Sequence, residues 1–497
     1  MAPDQTASDQ IANDQTASDQ VANVANDQTA PGQVAPDQVA QASSRQADAA
    51  PERAPDRVAE RAPERASTRA SSAFSNPNFV KLWAGQSVSL IGTQVTQFTM
   101  PLIAILSLNA TVTEVGVLNA LRFVPVLLLS LFAGVWLDRR RRRPVLIACA
   151  LGNAVLIGTV PLASVTGLLS IGLLYVVVTM TGLLSMTFDV GAMSYVPNLV
   201  DHEHLTDANS KIQASTAFAG VAGPGLAGVL VGLITAPITL TADSVSYLFS
   251  AGGLIAIRKP EPAPEVPDVR VSVRQSISEG LRAVWGSKLL SALLTQGAAL
   301  NLFFGAYITI FVVYAVRVVH LHPLELGIVM AGSAVGSFAG ATTARRVTKA
   351  LGLGRTMIIN TVGESVIMLL LLVPRHASVA AIAIFVVAQL IYGWNVGVLN
   401  VNVITLRQVV TPKRVLARMN ATYRMVLFGV APIGMSLGGV LGGAVGLRTG
   451  LLISLVLMTS PMLWLFFSPV FRLKEMPAAP LEPQPQPATP TAKDGRN

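Results

Sequence analysis

The stretch Gly134 to Arg143 (GVWLDRRRRR) sets an aspartate and five consecutive arginines between two long apolar segments. From Val115 to Leu137 the chain carries one charge, Arg122, and from Pro144 to Val200 only Asp189. A helix needs about 20 predominantly apolar residues to cross a bilayer, and a block of arginines has no place within the hydrocarbon. The block therefore predicts a short loop between two spanning helices, on the side where lysine and arginine accumulate.

The same logic extends to the whole chain. Hydrophobic residues make up 52% and charged residues 13%, and the mean hydropathy is +0.55 even though both ends are polar. That is the composition of a polytopic membrane protein. The net charge of +9 does not indicate nucleic acid, because the arginines sit in short loops and not on a basic face interleaved with aromatics. Cys149 is the only cysteine and lies in an apolar stretch, so no disulfide or thiolate metal site is expected. The pairs His202/His204 and His320/His322 lack a Cys or carboxylate cluster at ligand spacing and are read as loop histidines, with no metal. No Gly-x4-Gly-Lys-Ser/Thr sequence occurs, so ATP hydrolysis by this chain is not expected, and the chain is read as no enzyme.

Residues 1–73 form a low-complexity segment in which DQTASDQ appears at Asp4 and again at Asp14, followed by PERA-type tetrapeptides. Such a segment buries no core and is expected to be a disordered cytoplasmic tail, without the apolar run of a signal peptide. Beyond it, twelve spans are expected near 79–107, 115–137, 144–164, 168–195, 212–234, 238–257, 289–318, 323–344, 356–373, 378–405, 421–445 and 450–468. They divide into a first group of six within 74–257 and a second within 289–470. Between these lies a linker, 258–288, whose Ile277, Leu281, Val284 and Trp285 recur at helical spacing and predict an amphipathic helix at the inner surface. Residues 471–497 are proline-rich and expected to be disordered. Basic residues concentrate in alternate loops, including Lys211, Arg345, Arg346, Lys349, Arg355, Lys413 and Arg414, against Arg317, Arg375 and Arg448 in the opposite set. This bias predicts both termini in the cytoplasm of a multi-pass cell-membrane protein.

The two groups of spans echo each other. Gly134-x3-Asp138-Arg139 has a counterpart in Gly340-x3-Ala344-Arg345, and the loop from Leu199 to Asn209 resembles that from Val409 to Asn420. These matches argue for a duplicated six-helix unit. Over residues 76–470 the chain resembles the major facilitator superfamily, whose Gly-x3-Asp-Arg-x-Gly-Arg-Arg signature is matched at Gly134, Asp138, Arg139, Arg142 and Arg143, with Arg141 in place of the second glycine. The entry NPNFVKLWAGQSVSLIG, the loop PNLVDHEHLTDAN and the Gly-Pro cluster of the fifth span resemble the drug-efflux branch containing macrolide exporters and the enterobactin exporter. The fold this implies is all-α, with twelve transmembrane helices in two six-helix bundles.

In the family, the signature cluster acts as an inner latch, here Gly134, Asp138, Arg139, Arg142 and Arg143 with Asp189, which lies about two turns from the inner end of the fourth span. Gly220, Gly223, Pro224, Gly225 and Gly228 resemble the antiporter motif, and small residues in such a run permit close helix packing. Intramembrane charges are costly and usually functional, which makes Asp189, Asp243 and Glu364 the candidates for proton coupling. Spans 1, 4, 7 and 10 line the cavity in this family. With Arg122 from the second span, they point to Gln94, Gln97, Asn301, Tyr307, Gln389, Trp394 and Asn395 as cavity residues. The sequence thus reads as a secondary active exporter of bulky amphipathic drugs or natural products. It would work by proton antiport and alternating access, as a monomer, with no cofactor beyond the proton gradient and no nucleic acid partner. A siderophore exporter, an uptake symporter and a non-transporting sensor or scaffold are the alternatives.

Overall fold

A computed structural model describes residues 72–127, 136–137, 140–261, 278–279, 281–282 and 284–477, all within the compact unit Thr68–Asn497. The regular elements among the described residues are all helices. The long elements are α1 (Pro77–Leu102), α2 (Val112–Leu121), α3 (Arg142–Val165), α4 (Ile171–Leu199), α5 (Leu205–Ile234) and α6 (Ala236–Ile255). They continue with α7 (Lys288–Arg317), α8 (Pro323–Leu351), α9 (Leu353–Val366), α10 (Val379–Val410), α11 (Lys413–Val445), α12 (Leu447–Thr459) and the short α13 (Pro461–Phe466). Eleven helices among the described residues are long and apolar enough to cross a membrane. The expected span 115–137 is described only through Leu127 and at Trp136–Leu137, and most of the expected tails and linker also lie outside the described residues.

Local chemistry sets the helix ends. Asn76 accepts hydrogen bonds from the N–H groups of Asn78 (2.9 Å) and Phe79 (3.3 Å), and Pro77 occupies the first turn of α1, where no N–H is needed. Thr111 and Glu114 form a reciprocal capping box at the start of α2. Gly352 (φ +81°) and Gly446 (φ +83°) turn the chain between α8 and α9 and between α11 and α12 in a conformation that a side chain would strain. Several helices outrun the expected spans: α5 begins at Leu205, α8 ends at Leu351 and α11 begins at Lys413. Hydropathy registers only the lipid-covered part of a helix, whereas its hydrogen-bond ladder continues into the polar interface.

The end of the molecule where α1 begins is termed proximal and the opposite end distal. Within the first half, α1 packs on α5 and α6, and α3 packs on α4 and α6; within the second, α7 packs on α11 and α12, and α10 packs on α8 and α9. Two large pairings join the halves among the described residues, α2 with α11 and α5 with α8, beside a smaller one of α2 with α7. Each large pairing is a glycine crossing near the distal end. A Cβ on Gly116 would lie 2.9 Å from Gly439 Cα, and one on Gly228 would lie 3.1 Å from Gly327 Cα. Gly327 follows Gly116 by 211 residues and Gly439 follows Gly228 by the same 211. The two crossings are therefore one contact made twice with the roles of the halves exchanged, as in a two-fold interface.

The apolar core follows the same division. Distally one cluster runs through both halves and includes Ile105, Val115, Leu118, Val177 and Leu240 with Tyr307, Phe311, Leu326, Phe385 and Leu455. Proximally there are two clusters. Phe79, Leu146, Tyr195 and Leu254 belong to one, built from the first half, and Leu290, Met357, Leu406 and Tyr423 to the other, built from the second. Of the expected amphipathic helix, Ser278–Glu279, Leu281–Arg282 and Val284–Trp285 are helical; Val284 is buried with Leu290, Trp285 is exposed, and Ile277 lies outside the described residues.

Candidate functional site

Two polar centres lie inside the helices, one in each half. In the first, Asp243 on α6 is fully buried. It sits about 10 Å from the distal end of that helix at 1.5 Å per residue. Thr96 of α1 donates to one carboxylate oxygen and Ser246 to the other (2.9 Å). One turn along α6, the Tyr247 hydroxyl meets Thr93 of α1 (3.0 Å) and Ser185 of α4 (3.4 Å). The carboxylate fits because Gly92 faces it: a Cβ there would run into Asp243 Oδ1 and Ser246 Oγ. A buried acid held by hydroxyl donors is stabilised in place, and charge-directed hydrogen bonds of this kind contribute about 1.5–3 kcal/mol each.

The second centre surrounds Glu364 on α9, about 16 Å along the helix from its proximal start. Glu364 is buried, and its Oε1 has no hydrogen-bond partner among the described residues. Around it are Gln296 of α7, which donates to Thr361 (3.4 Å), and Asn395 of α10, whose amide oxygen would lie 2.8 Å from a Cβ on Gly363. Gln389 donates to the Tyr307 hydroxyl (3.3 Å), and Phe304 stacks on Tyr392 with ring centroids 6.0 Å apart. The centre thus combines amides, phenols and flat aromatic faces on α7, α9 and α10.

The remaining predicted residues divide between cleft and packing positions. Asp189 lies ten residues, about 15 Å, from the proximal end of α4, further in than the expected two turns because α4 runs on to Leu199. Its side chain is exposed, within electrostatic reach of Arg122 and of Arg424 on α11. Arg122 is half-buried with its guanidinium over the Phe123 ring. Gln94 and Gln97 are half-buried on α1, and Gly223 packs directly on Gln94. Asn301 donates to the Gly297 carbonyl in its own helix, and Asn395 to that of Ile391. Trp394 donates to Thr343 (3.0 Å), and its backbone fills the space over Gly340, which ties it to α8. In the glycine run of α5, Gly223 and Gly228 sit at close crossings, the Pro224 carbonyl lies against Gly327, a Cβ on Gly220 would lie 4.0 Å from Gln94 Nε2, and Gly225 faces open space.

Gly134, Asp138 and Arg139 lie outside the described residues. Arg142 and Arg143 begin α3, and their backbone N–H groups donate to Glu261 (2.7 and 3.1 Å). The Arg143 guanidinium reaches back to the Leu254 and Ile255 carbonyls at the end of α6 (3.0 and 2.8 Å). Arginines in a first turn oppose the helix dipole, and the Glu261 carboxylate offsets them while capping the free N–H groups. The second half repeats this contact with different atoms. The N–H groups of Leu353 and Gly354, 211 residues after Arg142 and Arg143, donate to the Lys474 and Leu473 carbonyls (3.1 and 2.8 Å). In both halves the segment that follows the last spanning helix thus caps the third helix of its half.

Sequence reasoning did not single out Thr93, Thr96, Ser185, Ser246, Tyr247, Asn360 or Glu261. A usable signal existed for the first two, since Gly92, Thr93 and Thr96 fall within about one turn on one face of α1. Glu261 gave none, because its role depends on a fold that brings a linker to the start of α3.

Residues 68–495 match the family described as transmembrane secretion effectors, of the major facilitator superfamily. The multidrug efflux pump Tap of Mycolicibacterium fortuitum is 24% identical over 388 residues, covering 76% of this chain and 91% of that pump. The enterobactin exporter EntS of Citrobacter koseri is 22% identical, covering 70% and 81%. Among solved structures, a bacterial homologue of the iron transporter ferroportin in its inward-facing state superposes with a TM-score of 0.63 at 18% identity, covering 78% of this chain and 98% of that one; a bacterial ferroportin homologue in its outward-facing state gives 0.51 at 17% identity. A family match over this length, with all-helical transporter neighbours and efflux pumps as relatives, makes the chain a member of the transmembrane secretion effector family: a membrane transporter of the major facilitator type and not an enzyme.

Proposed function

We propose that this transporter exports bulky amphipathic small molecules in exchange for protons. Its twelve spans form two six-helix bundles that rock about a central site, in a monomer that needs no cofactor beyond the proton gradient. The observation that carries this reading is the division of the core, continuous across both halves distally and split proximally. Halves joined at one end and separately packed at the other leave a cleft open at the split end. Asp189 is exposed deep along α4, which fits such a cleft because an intramembrane charge faces water or a partner.

The arginines and lysines of the proximal loops favour that end, with both termini, as the cytoplasmic side of the cell membrane. The cleft then faces the side from which an exporter loads. The better superposition on an inward-facing relative agrees with this state. Phe304 and Tyr392, both half-buried, offer flat apolar faces, while Tyr307, Gln389 and Asn395 are buried; such faces suit amphipathic ligands better than sugars or small anions. Asp189, Asp243 and Glu364 are the groups able to carry the coupling proton. In everted membrane vesicles from a pump-deficient host, with the amphipathic cation ethidium as probe, accumulation should depend on this protein and stop when an uncoupler collapses the pH gradient. Protein-dependent accumulation that survives the uncoupler overturns the proton reading.

A further inference from the structure

The two acids buried within the helices differ in one respect. Asp243 has two hydroxyl donors, whereas Glu364 has no hydrogen bond or ion pair among the described residues, and its Oε1 is enclosed without a partner. One turn earlier on the same helix, Asn360 is 1% exposed, and its amide is held by donation from Nδ2 to the Thr356 carbonyl (2.7 Å). That bond takes one of the two Nδ2 hydrogens and fixes the rotation of the amide, and Asn360 Oδ1 is likewise enclosed without a partner. Residues four apart on a helix are neighbours, so two orphaned acceptors share one buried face of α9.

Two acceptors without a donor cannot satisfy each other, and an unpaired carboxylate in this setting is too costly to keep. A single proton resolves both deficits. On Glu364 it removes the charge and creates an O–H donor one helical turn from Asn360. The groups facing Glu364 from neighbouring elements do not compete for this role. Tyr392 on α10 is the titratable group within electrostatic reach of it. The basic residues of the packed elements, such as Arg345, Arg346 and Lys349 on α8, Arg407 on α10, Arg448 on α12, and Arg472 and Lys474 after α13, form no ion pair with it among the described residues. The equivalent position of the first half, 211 residues earlier, is held by Asn153, an uncharged residue that is also fully buried with neither side-chain polar atom paired. Both repeats therefore keep a neutral group at this point, and only the second can give up a proton.

We infer that Glu364 and Asn360 form the site of the proton exchanged for substrate, with Glu364 carrying it and Asn360 positioning it. Tyr392 stands between this site and Phe304, on which it stacks. A ligand seated on that aromatic pair would therefore disturb the wall of the proton site, and coupling would follow from the shared residue. The inference rests on the proton-antiport reading above.

The test uses the purified full-length protein and three variants. Infrared difference spectra on titration with base should show the loss of a buried protonated-carboxyl band that is present at neutral pH. The band should be lost in Glu364→Gln and moved to the position of a carboxyl without its hydrogen bond in Asn360→Leu. In ethidium-loaded proteoliposomes, Glu364→Gln should keep downhill exchange while losing all response to an imposed pH gradient, and Glu325→Gln, at the cap of α8, should still respond. A carboxyl band unchanged by Glu364→Gln, or a variant as responsive to the gradient as the parent protein, overturns this assignment. A parent protein that ignores the gradient overturns the proton-antiport reading itself, and the two failures are thereby distinguished.

Discussion

Gly116 and Gly439, on α2 and α11, come so close that a Cβ on Gly116 would lie 2.7 Å from the Met435 carbonyl and 2.9 Å from Gly439 Cα. Thr113, one turn before Gly116, donates to the Gly439 carbonyl (3.1 Å), and Arg317 at the end of α7 donates to the Ala110 carbonyl just ahead of α2 (2.8 Å). These contacts close the distal end.

Gly116→Leu should therefore weaken distal closure. Overpacking a tight contact costs about 1–3 kcal/mol, and an energy of that size shifts a two-state ratio by roughly 5–150-fold. A cysteine at Leu118, buried in the distal core, should then react faster with an impermeant maleimide in the Gly116→Leu background. Gly228→Leu, at the repeated crossing, should produce the same change. An unaltered labelling rate in both would mean that the crossings do not hold the closed state.

Thr96→Val removes one donor from Asp243 while keeping side-chain volume. The loss should lower the stability of the purified transporter by about 1–3 kcal/mol, the cost of a buried acceptor left short of its partner. Thermal unfolding in detergent reads this directly. Gly92→Ala should be at least as harmful, since its methyl group would occupy the space of the carboxylate.

Glu261→Ala should cost about 1 kcal/mol, as expected for a lost helix cap, and should leave the first turn of α3 more open. Limited proteolysis with trypsin at Arg140–Arg143 should accelerate, while Glu261→Gln, which still accepts hydrogen bonds, should show a smaller effect. Equal cleavage of all three proteins would show that the cap does not hold this turn.

Much of the helical frame was legible in the sequence, because apolar runs and arginine-bearing loops register directly in hydropathy. Helix ends were less legible: α5 begins seven residues ahead of its apolar run, where Asp207 and Lys211 pair across one turn in the polar interface. Asp189, Asp243 and Glu364 were visible as charges in apolar surroundings, but their environments were not. Asp243 is held by Thr96 and Ser246, Glu364 stands unpaired among the described residues, and Asp189 is exposed; nothing local in the sequence separates the three. The Trp394 indole, read as a cavity group, bonds Thr343, since a helix carries its side chains all round and spacing alone does not reveal which neighbour each will meet. The 211-residue repeat became clear only through contacts. Gly116 and Gly327 stand apart from the glycine-rich runs of α5 and α11, and a lone glycine in an apolar helix carries no mark of its partner.

Alternation between distal-closed and distal-open states is the claim on which the account depends. Thr113 Oγ1 lies 3.2 Å from where a Cβ on Gly443 would be, close enough for the pair Thr113→Cys and Gly443→Cys to form a disulfide with a modest side-chain adjustment. Cys149 is buried and stays out of the reaction. In proteoliposomes the oxidised double variant should lose ethidium transport and regain it on reduction, while each single variant transports in both states. Undiminished transport by fully cross-linked protein would contradict the account.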